Sequence, residues 1–219
     1  AQEVVFVMDR FGYCKALDKA AYERNRETVD GEYPYVLPCM NTDKLYVFTD
    51  KGNLHQAKVM DIPLGKLRDK GTPLDNISKY DGSKEDIVWL SSRDCLAGEK
   101  LLFATRMALV KMVPAEEFLT NNRTVASTKL QEGDQVLAVR PVGQETQVVL
   151  QTSQGVFLRF AMEEIPELKK NSRGVRGIKL EEGETLEKVY FVGQEPVATY
   201  KKKEVRLDRL KPERRDGKG

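Results

Sequence analysis

Basic residues and glycines recur together in short segments of this 219-residue chain. The clearest segment is NSRGVRGIKL (171–180), and related ones are KLRDKGTPL (66–74), NNRTVASTKL (121–130) and RRDGKG (214–219), here called the basic loops. Lysine and arginine can neutralise phosphate, and glycine lets the backbone approach a phosphate and offer it N–H groups. These segments therefore predict contacts with a phosphate-bearing polyanion.

The residues expected to make these contacts are cations of the basic loops and of the strands before them. A single surface cation is by default a solvated charge, so the hypothesis depends on recurrence of the whole set. The cations are Lys58, Lys66, Arg68, Lys70, Lys111, Arg123, Lys129, Arg159, Arg173, Arg176, Lys179, Arg214, Arg215 and Lys218. The glycines expected to lie near phosphate are Gly71, Gly174, Gly177 and Gly217.

Residues with the spacing of a catalytic or metal site are missing from the sequence. Cys14, Cys39 and Cys95 are widely separated, form no CxxC pair and have only His55 to join them, which supports neither a disulfide framework nor zinc. His55 has no nucleophile or carboxylate at a recognisable spacing and is expected on a hairpin surface. No GxxxxGK[ST] motif occurs. We expect no catalytic residue, no metal and no cofactor in this chain.

Composition sets limits on the class of protein but does not decide the partner. Lys and Arg total 36 against 34 Asp and Glu, so the net charge of +2 says little, and the distribution of charge must decide. The longest apolar runs, such as Val4 to Met8, are far below the about 18 residues of a membrane span, and no signal peptide is visible. We expect a cytoplasmic protein. Because the first residue is Ala, we also expect a fragment of a longer chain.

Five hairpin-like segments set the positions of the basic loops. Each is a β-type run, a turn and a second run with a basic residue; the turns centre near Gly12, Gly52, Ala108, Gly155 and Lys203, at separations of 40, 56, 47 and 48 residues. That period is typical of propellers. A basic loop, an acidic turn (SKED, QEGD or EEGE) and one more strand follow three of these hairpins. Acidic residues such as Glu181 and Glu182 are expected off the polyanion path.

The predicted fold is all-β, because no segment has sustained helical periodicity apart from a short helical turn expected within 15–26. A repeat this small must stack on its neighbours, as propeller blades do. Trp89, Phe103, Phe157 and Phe191 are expected in the blade core. We predict a single propeller-like domain of about five blades, with approximate bounds 1–43, 44–98, 99–144, 145–194 and 195–219. Closure has three alternatives: an open propeller, completion by residues 1–8, or completion by further sequence.

The fourth repeat carries a specific family resemblance. NSRGVRGIKL, with Thr152, Gly155 and Arg159 before it, resembles repeats of the C-terminal domain of the A subunits of DNA gyrase and topoisomerase IV. The last basic loop resembles the gyrase box, QRRGGKG, with Glu213 in place of the glutamine and Asp216 in place of a glycine. The first repeat, with ERNRETVDGEY at 23–33, has lost most of its basic loop.

The resemblance implies a β-pinwheel, a propeller that exchanges strands between blades, and a non-catalytic domain that binds and bends double-stranded DNA. The implied protein partners are the ATPase B subunit of the enzyme, together with the catalytic region that precedes this domain in the same polypeptide. The implied location is the bacterial cytoplasm and nucleoid, with no membrane. The altered box favours topoisomerase IV over a gyrase wrapping domain.

Two further alternatives fit parts of the sequence. A protein-interaction propeller would use the same loops to recognise an acidic partner. The GxxG at 174–177 resembles that of KH domains, but the helices that a KH domain requires are not predicted.

Overall fold

The computed structural model describes residues 1–92, 96 and 99–219, which form mainly short β-strands. No helix in this part of the chain is both long and apolar enough to cross a membrane. In chain order the strands are β1 (Glu3–Met8), β2 (Tyr13–Asp18), β3 (Tyr35–Met40), β4 (Lys44–Thr49), β5 (Asn53–Lys58), β6 (Thr72–Pro73), β7 (Ile87–Ser92), β8 (Lys100–Thr105), β9 (Leu109–Pro114), β10 (Thr124–Ala126), β11 (Val136–Val142), β12 (Gln147–Thr152), β13 (Phe157–Ala161), β14 (Val175–Arg176), β15 (Leu186–Phe191), β16 (Val197–Tyr200), β17 (Lys203–Arg206) and β18 (Pro212–Glu213).

The strands form four four-stranded sheets, in the orders β3-β1-β2-β6, β10-β5-β4-β7, β11-β8-β9-β14 and β15-β12-β13-β18, and β16 pairs with β17. Three strands of each large sheet come from one repeat. The fourth lies beyond the next hairpin in sequence: β6, for example, follows β5 but pairs with β2. This exchange of strands is that of a β-pinwheel, and the predicted all-β fold is confirmed. The predicted blade boundaries stay a prediction.

Two short helices, α1 (Lys19–Arg24) and α2 (Arg26–Glu32), follow the first hairpin. Asp18 caps α1 by accepting a hydrogen bond from the Ala21 N–H at 2.7 Å. Tyr22 and Val29 pack against the first sheet, where they cover apolar residues that include Val5. The helical turn expected within 15–26 begins later than its predicted start, because residues up to Asp18 continue β2.

Short 3-10 helices follow the second strands of the later hairpins. Their bounds are Val59–Asp61, Ala115–Phe118, Met162–Glu164 and Leu207–Arg209, and Leu74–Asn76 forms one more turn of this kind after β6.

Left-handed residues close the hairpins at the predicted turns. Gly12 (φ 89°), Gly52 (φ 76°) and Gly155 (φ 77°) take this conformation, and Ala108 takes it without being glycine (φ 66°). The fifth turn does not lie at Lys203, its predicted centre. It lies at residues 201–202, whose φ values are 48° and 66°, and Lys203 already begins β17.

The chain divides into two compact units, each with its own core. The first comprises Ala1–Thr49, Asn53–Ala97 and Leu119–Val125; the second comprises Asp50–Gly52, Gly98–Phe118 and Ala126–Gly219. In the first unit, Phe6 and Val47 belong to a cluster that joins its two sheets. In the second, Leu102 and Phe160 belong to the corresponding cluster.

Polar side chains on the second strand of each of the first four hairpins bind the backbone of the segment that follows the next hairpin. They donate hydrogen bonds to carbonyl oxygens that lie 49 to 64 residues further along the chain. The donors are Lys15 to Leu67 and Asp69, Gln56 to Thr120, Lys111 to Lys169, Lys170 and Ser172, and Arg159 to Asp208 and Leu210.

Lys111 makes the most extensive contacts of this kind. Its side chain is 1% exposed, and its Nζ lies 2.6 Å from the Ser172 carbonyl and 3.0 Å from that of Lys169. Burial lowers the pKa of Lys111 to about 8, so the amine is mostly charged at neutral pH. Lys111 therefore does not present its charge to the solvent, and the structure removes it from the predicted phosphate-binding set.

Glycines allow the exchanged segments to lie close to the sheets that receive them. A Cβ on Gly71 (φ 89°) would lie 2.4 Å from the Cys14 carbonyl oxygen, and a Cβ on Gly174 (φ 97°) would lie 2.7 Å from that of Val110. Gly177 has no such φ, but a Cβ there would lie 2.7 Å from a methyl carbon of Leu150. Strand exchange thus requires Gly71 and Gly174 whether or not a phosphate lies beside them, whereas the obstacle at Gly177 is only the end of a side chain.

Replacing Lys111 with Met is expected to reduce the free energy of unfolding by about 2–4 kcal/mol. The change removes a charged donor and leaves several carbonyl groups without their partner. Lys188→Met, on the exposed side of β15, is the control and should cost less than about 0.5 kcal/mol. Urea denaturation of both variants measures the difference, and equal effects would contradict a special role for Lys111.

The same pair of proteins should show a pH dependence. Because the pKa of Lys111 is lowered in the folded state from 10.5 to about 8, the native chain loses this proton first as the pH rises. Below about pH 8 the folded chain bears the full free-energy cost of burying a charged amine, and above that pH the loss of the proton from Lys111 removes this cost. The stability of the wild type relative to Lys111→Met should therefore rise between these two pH values, and a flat difference would contradict the burial of a charged amine.

Gly174→Ala should destabilise the second unit more than Gly183→Ala does. Both residues have positive φ, so each substitution incurs a cost of about 1 kcal/mol from backbone strain. No atom lies within 4 Å of a Cβ on Gly183, whereas the Val110 backbone blocks the Cβ at Gly174. We expect an additional cost of about 1–3 kcal/mol at Gly174. Thermal unfolding of the two variants provides the comparison.

Candidate nucleic-acid interface

Most of the predicted phosphate-binding cations lie at the surface of their unit. Lys111 is buried, Arg159 and Arg215 are half-buried, and the others are exposed. In the first unit the exposed cations are Lys58, Lys66, Arg68, Lys70 and Arg123; in the second they are Lys129, Arg173, Arg176, Lys179, Arg214 and Lys218. Of these, only Arg176 forms an ion pair within the described part of the chain.

A basic cavity of about 250 Å³ lies beside the second sheet of the first unit. Lys44, Lys58 and Arg123 line it, together with Asn121 and a single acidic residue, Asp61. Lys44 and Lys58 are directly opposite each other in the β4–β5 register. Like charges in that position repel each other, and a bound anion would relieve the repulsion.

Sequence reasoning found Lys58 and Arg123 but missed Lys44. The missed signal was the hairpin register, because a turn centred at Gly52 places the outermost residues of β4 and β5 opposite each other. Gln56 holds the neighbouring loop: its N–H donates to the Arg123 carbonyl at 2.8 Å and its Nε2 to that of Thr120 at 2.9 Å. The backbone of Arg123 is thus fixed while its side chain is exposed.

The densest basic loop, 171–180, holds its three cations in two different states. Arg173 and Lys179 are exposed. Arg176 is also exposed but binds the Asp216 carboxylate through two atoms, with Nε–Oδ1 at 2.5 Å and Nη2–Oδ2 at 2.9 Å. Hydrogen bonding to Arg176 lowers the pKa of Asp216 below its ordinary value.

The guanidinium groups of Arg159 and Arg215 donate some of their hydrogen bonds to backbone carbonyl groups of the protein itself. Arg159 donates from Nη1 to the Asp208 carbonyl at 3.0 Å. Arg215 donates from Nε to the Glu164 carbonyl and from Nη1 to the Arg176 carbonyl, each at 2.8 Å. These two residues position loops as well as adding positive charge. Their contacts join residues 39 to 51 positions apart and could not be read from local spacing.

The acidic turns direct one carboxylate each into the protein. Glu85, Asp134 and Glu184 are at most 8% exposed. Glu85 accepts a hydrogen bond from the Thr49 hydroxyl at 2.7 Å, and Glu184 accepts one from that of Thr152 at 2.5 Å. These carboxylates bind the segment before the last strand of each repeat to the hairpin. Glu181 and Glu182, in the same turn as Glu184, remain exposed.

The expectation that His55 lies on a hairpin surface is wrong. His55 is 4% exposed; its Nε2 lies 2.7 Å from Glu85 Oε2 and its Nδ1 lies 2.9 Å from Thr124 Oγ1. Burial alone would raise the pKa of Glu85, but hydrogen bonds from Thr49, Asn53 and His55 lower it. The partner carboxylate is 30 residues away in sequence, so local spacing could not reveal it.

The aromatic residues expected in the blade core all lie in strands. Phe103 and Phe191 are buried, and Trp89 and Phe157 are half-buried. Trp89 packs against Phe48 with ring centroids 5.4 Å apart. No ring of this group is fully exposed as a base-stacking platform would be.

Among the cysteines, Cys14 and Cys39 are buried, and Cys95 lies outside the described residues. Burial raises the pKa of Cys14 to about 12, which keeps this thiol protonated. Its Sγ lies 3.2 Å from the Thr72 carbonyl of the exchanged strand β6. The contact places Cys14 in the packing of the first sheet.

Comparison with known proteins places these features in one family. The sequence model described as "DNA gyrase C-terminal domain, beta-propeller" matches residues 99–143 and 146–192. The DNA gyrase A protein of Lawsonia intracellularis is 30% identical over 174 residues, which cover 74% of this chain and 21% of that protein. The chain thus spans about a fifth of the length of this relative.

Solved structures share the fold along the whole chain. The C-terminal domain of a DNA topoisomerase IV superposes with a TM-score of 0.86 and 23% identity, covering 100% of this chain and 72% of that one. A DNA gyrase A C-terminal domain gives a TM-score of 0.65 and 19% identity, covering 100% and 76%. The matched repeats, the gyrase A relative and the shared strand-exchanged fold identify the chain as a member of the family of C-terminal domains of DNA gyrase and topoisomerase IV A subunits.

Proposed function

We propose that this domain binds and bends duplex DNA through its basic loops and has no catalytic role of its own. The observation that carries the proposal is that exposed cations recur in the loops that follow successive hairpins. Side chains of the preceding repeats fix the backbone of these loops. Such cations can follow a line of phosphates. Phosphate contacts provide affinity and orientation without reading base sequence.

The cavity lined by Lys44, Lys58 and Arg123 supports the same proposal. Three cations and one carboxylate leave a net positive lining, and the opposed lysines favour an anion between them. A backbone phosphate has the charge and size for this place. Arginine and lysine suit it differently, because arginine can bind two oxygens at once whereas lysine acts as a point charge.

In the whole enzyme, we propose that the domain presents duplex DNA to the catalytic region of the same polypeptide for strand passage. That region would work with the ATPase B subunit in the bacterial cytoplasm, at the nucleoid. The relative named as a gyrase A protein supports this setting. Bending a site of 20–30 base pairs costs on the order of 1–6 kcal/mol, which several phosphate contacts can offset.

Binding to random duplex DNA should weaken steeply as salt rises. If about five to eight phosphates are neutralised, the log–log slope should be about −4 to −7. Replacing Arg173 and Lys179 with Ala should make the slope shallower by about two, since each lost phosphate contact contributes about 0.9. A mobility-shift titration at several salt concentrations measures both values.

The matched control for this experiment is the Lys188→Ala/Lys203→Ala double variant. It removes two exposed positive charges of the same unit that lie outside the basic loops. Its slope should stay within error of the wild type. A wild-type slope near zero would refute phosphate binding, and equal effects of the two double variants would refute the assignment to this loop.

A second measurement separates bending from handed wrapping. We propose topoisomerase IV-like bending because the segment that resembles the gyrase box contains Asp216, which is bound to Arg176. Ligating a nicked plasmid with the bound domain should therefore trap little or no linking-number change. A large positive change per domain would favour a gyrase-like wrapping domain.

A further inference from the structure

We infer that Asp216 occupies the position on Arg176 that a DNA phosphate would take, so that the domain carries an internal competitor for its own ligand. This inference deepens the proposed function and rests on it. It makes Asp216 a residue that sets DNA affinity without touching DNA.

The geometry of the pair is that of oxyanion recognition. Two nitrogens on one side of the Arg176 guanidinium each bind a different carboxylate oxygen, at 2.5 and 2.9 Å. Arginine binds phosphate through the same fork of two parallel N–H donors. A phosphate and Asp216 therefore cannot both use this side of Arg176.

Backbone contacts hold the carboxylate in place. The Asp216 N–H donates to the Gly177 carbonyl at 2.8 Å, and the Lys179 N–H donates to the Gly217 carbonyl at 2.9 Å. Between these bonds, Ile178 and Gly217 form a parallel bridge. Residues 216 and 217 thus run beside the densest basic loop, and the carboxylate stays near Arg176 without relying on the ion pair alone.

Arg215 fastens the same segment from its other side. Its N–H lies 3.1 Å from Glu164 Oε1, and its guanidinium donates to the Arg176 carbonyl. Arg215 therefore joins the backbone of Arg176 to the segment that carries Asp216. The backbones of Arg176 and Asp216 are therefore held side by side although the two residues belong to different repeats.

The pair remains accessible to a competing anion. The Arg176 side chain is 58% exposed and that of Asp216 is 30% exposed. Water and salt screen an ion pair at such a surface, so its own stabilisation is small. DNA carries many phosphates and is also held by neighbouring cations such as Arg173 and Lys179, so one of its phosphates can displace the Asp216 carboxylate from Arg176. The negative charge of Asp216 then stays next to that phosphate.

The backbone conformation of Asp216 allows a conservative substitution to be tested. Its φ is 68°, a left-handed conformation that glycine adopts without strain and that other residues adopt at some cost. Asp and Asn tolerate this region better than most residues. Asp216→Asn therefore changes the charge with little change in backbone strain, which makes it a clean test.

The test compares DNA affinity of the wild type, Asp216→Asn and Asp208→Asn by fluorescence anisotropy at several salt concentrations. Asp208 is the matched control, because it forms a similar exposed pair with Arg206, with Nη2–Oδ2 at 2.8 Å, outside the basic loops. We expect Asp216→Asn to bind DNA about three- to tenfold more tightly, with a salt slope steeper by about one. Asp208→Asn should change neither value appreciably.

A double variant shows whether the gain depends on Arg176. Adding Arg176→Ala to Asp216→Asn should abolish the gain, because no freed guanidinium remains to bind phosphate. Circular dichroism of each variant confirms that the fold is intact.

Three outcomes would overturn the inference in distinguishable ways. If the wild type binds DNA and Asp216→Asn binds no better, Asp216 is not a competitor. If Asp208→Asn produces an equal gain, the effect is one of net charge alone. If no variant binds DNA in a salt-dependent manner, the proposed function fails, and the inference fails with it.

Discussion

Each four-stranded sheet of this domain is completed by a strand that lies beyond the next hairpin in sequence, and most other features serve that exchange. Gly71 and Gly174 let the incoming backbone approach a carbonyl group where any Cβ would collide. Lys15 and Lys111 then bind the carbonyls of the segment on its way to the sheet. The first three basic loops contain these incoming strands, and the fourth begins directly after β18. Their exposed cations are therefore attached to backbone that two repeats hold in place.

The arrangement of charge follows from the same repeat. The net charge of +2 does not show how the charges are distributed. Exposed cations concentrate in the basic loops, whereas Glu85, Asp134 and Glu184 are buried. Buried carboxylates require hydrogen-bond donors: hairpin hydroxyls supply them to Glu85 and Glu184, and the Met107 N–H supplies one to Asp134. Part of the negative charge thus serves the fold, and the surface of the loops is more basic than the composition indicates.

Much of the fold could be predicted from the sequence because hairpins, turns and basic loops recur at a regular spacing. The roles of individual polar residues could not. β9 is buried on both faces, so alternation along the strand does not reveal that Lys111 points inward. His55 depends on Glu85 from another turn, and Arg176 depends on Asp216 from another repeat. Contacts across 30 to 40 residues leave no local pattern to read.

Strand exchange also determines the order in which the protein can fold as it is synthesised. The outer edge of β2 stays unpaired until Thr72 and Pro73 have been made, and that of β9 until Val175 and Arg176 have been made. At about 5–20 residues per second, each sheet waits several seconds for its last strand. Throughout synthesis the newest repeat therefore exposes an open edge, and that edge is the position most open to pairing with another nascent chain.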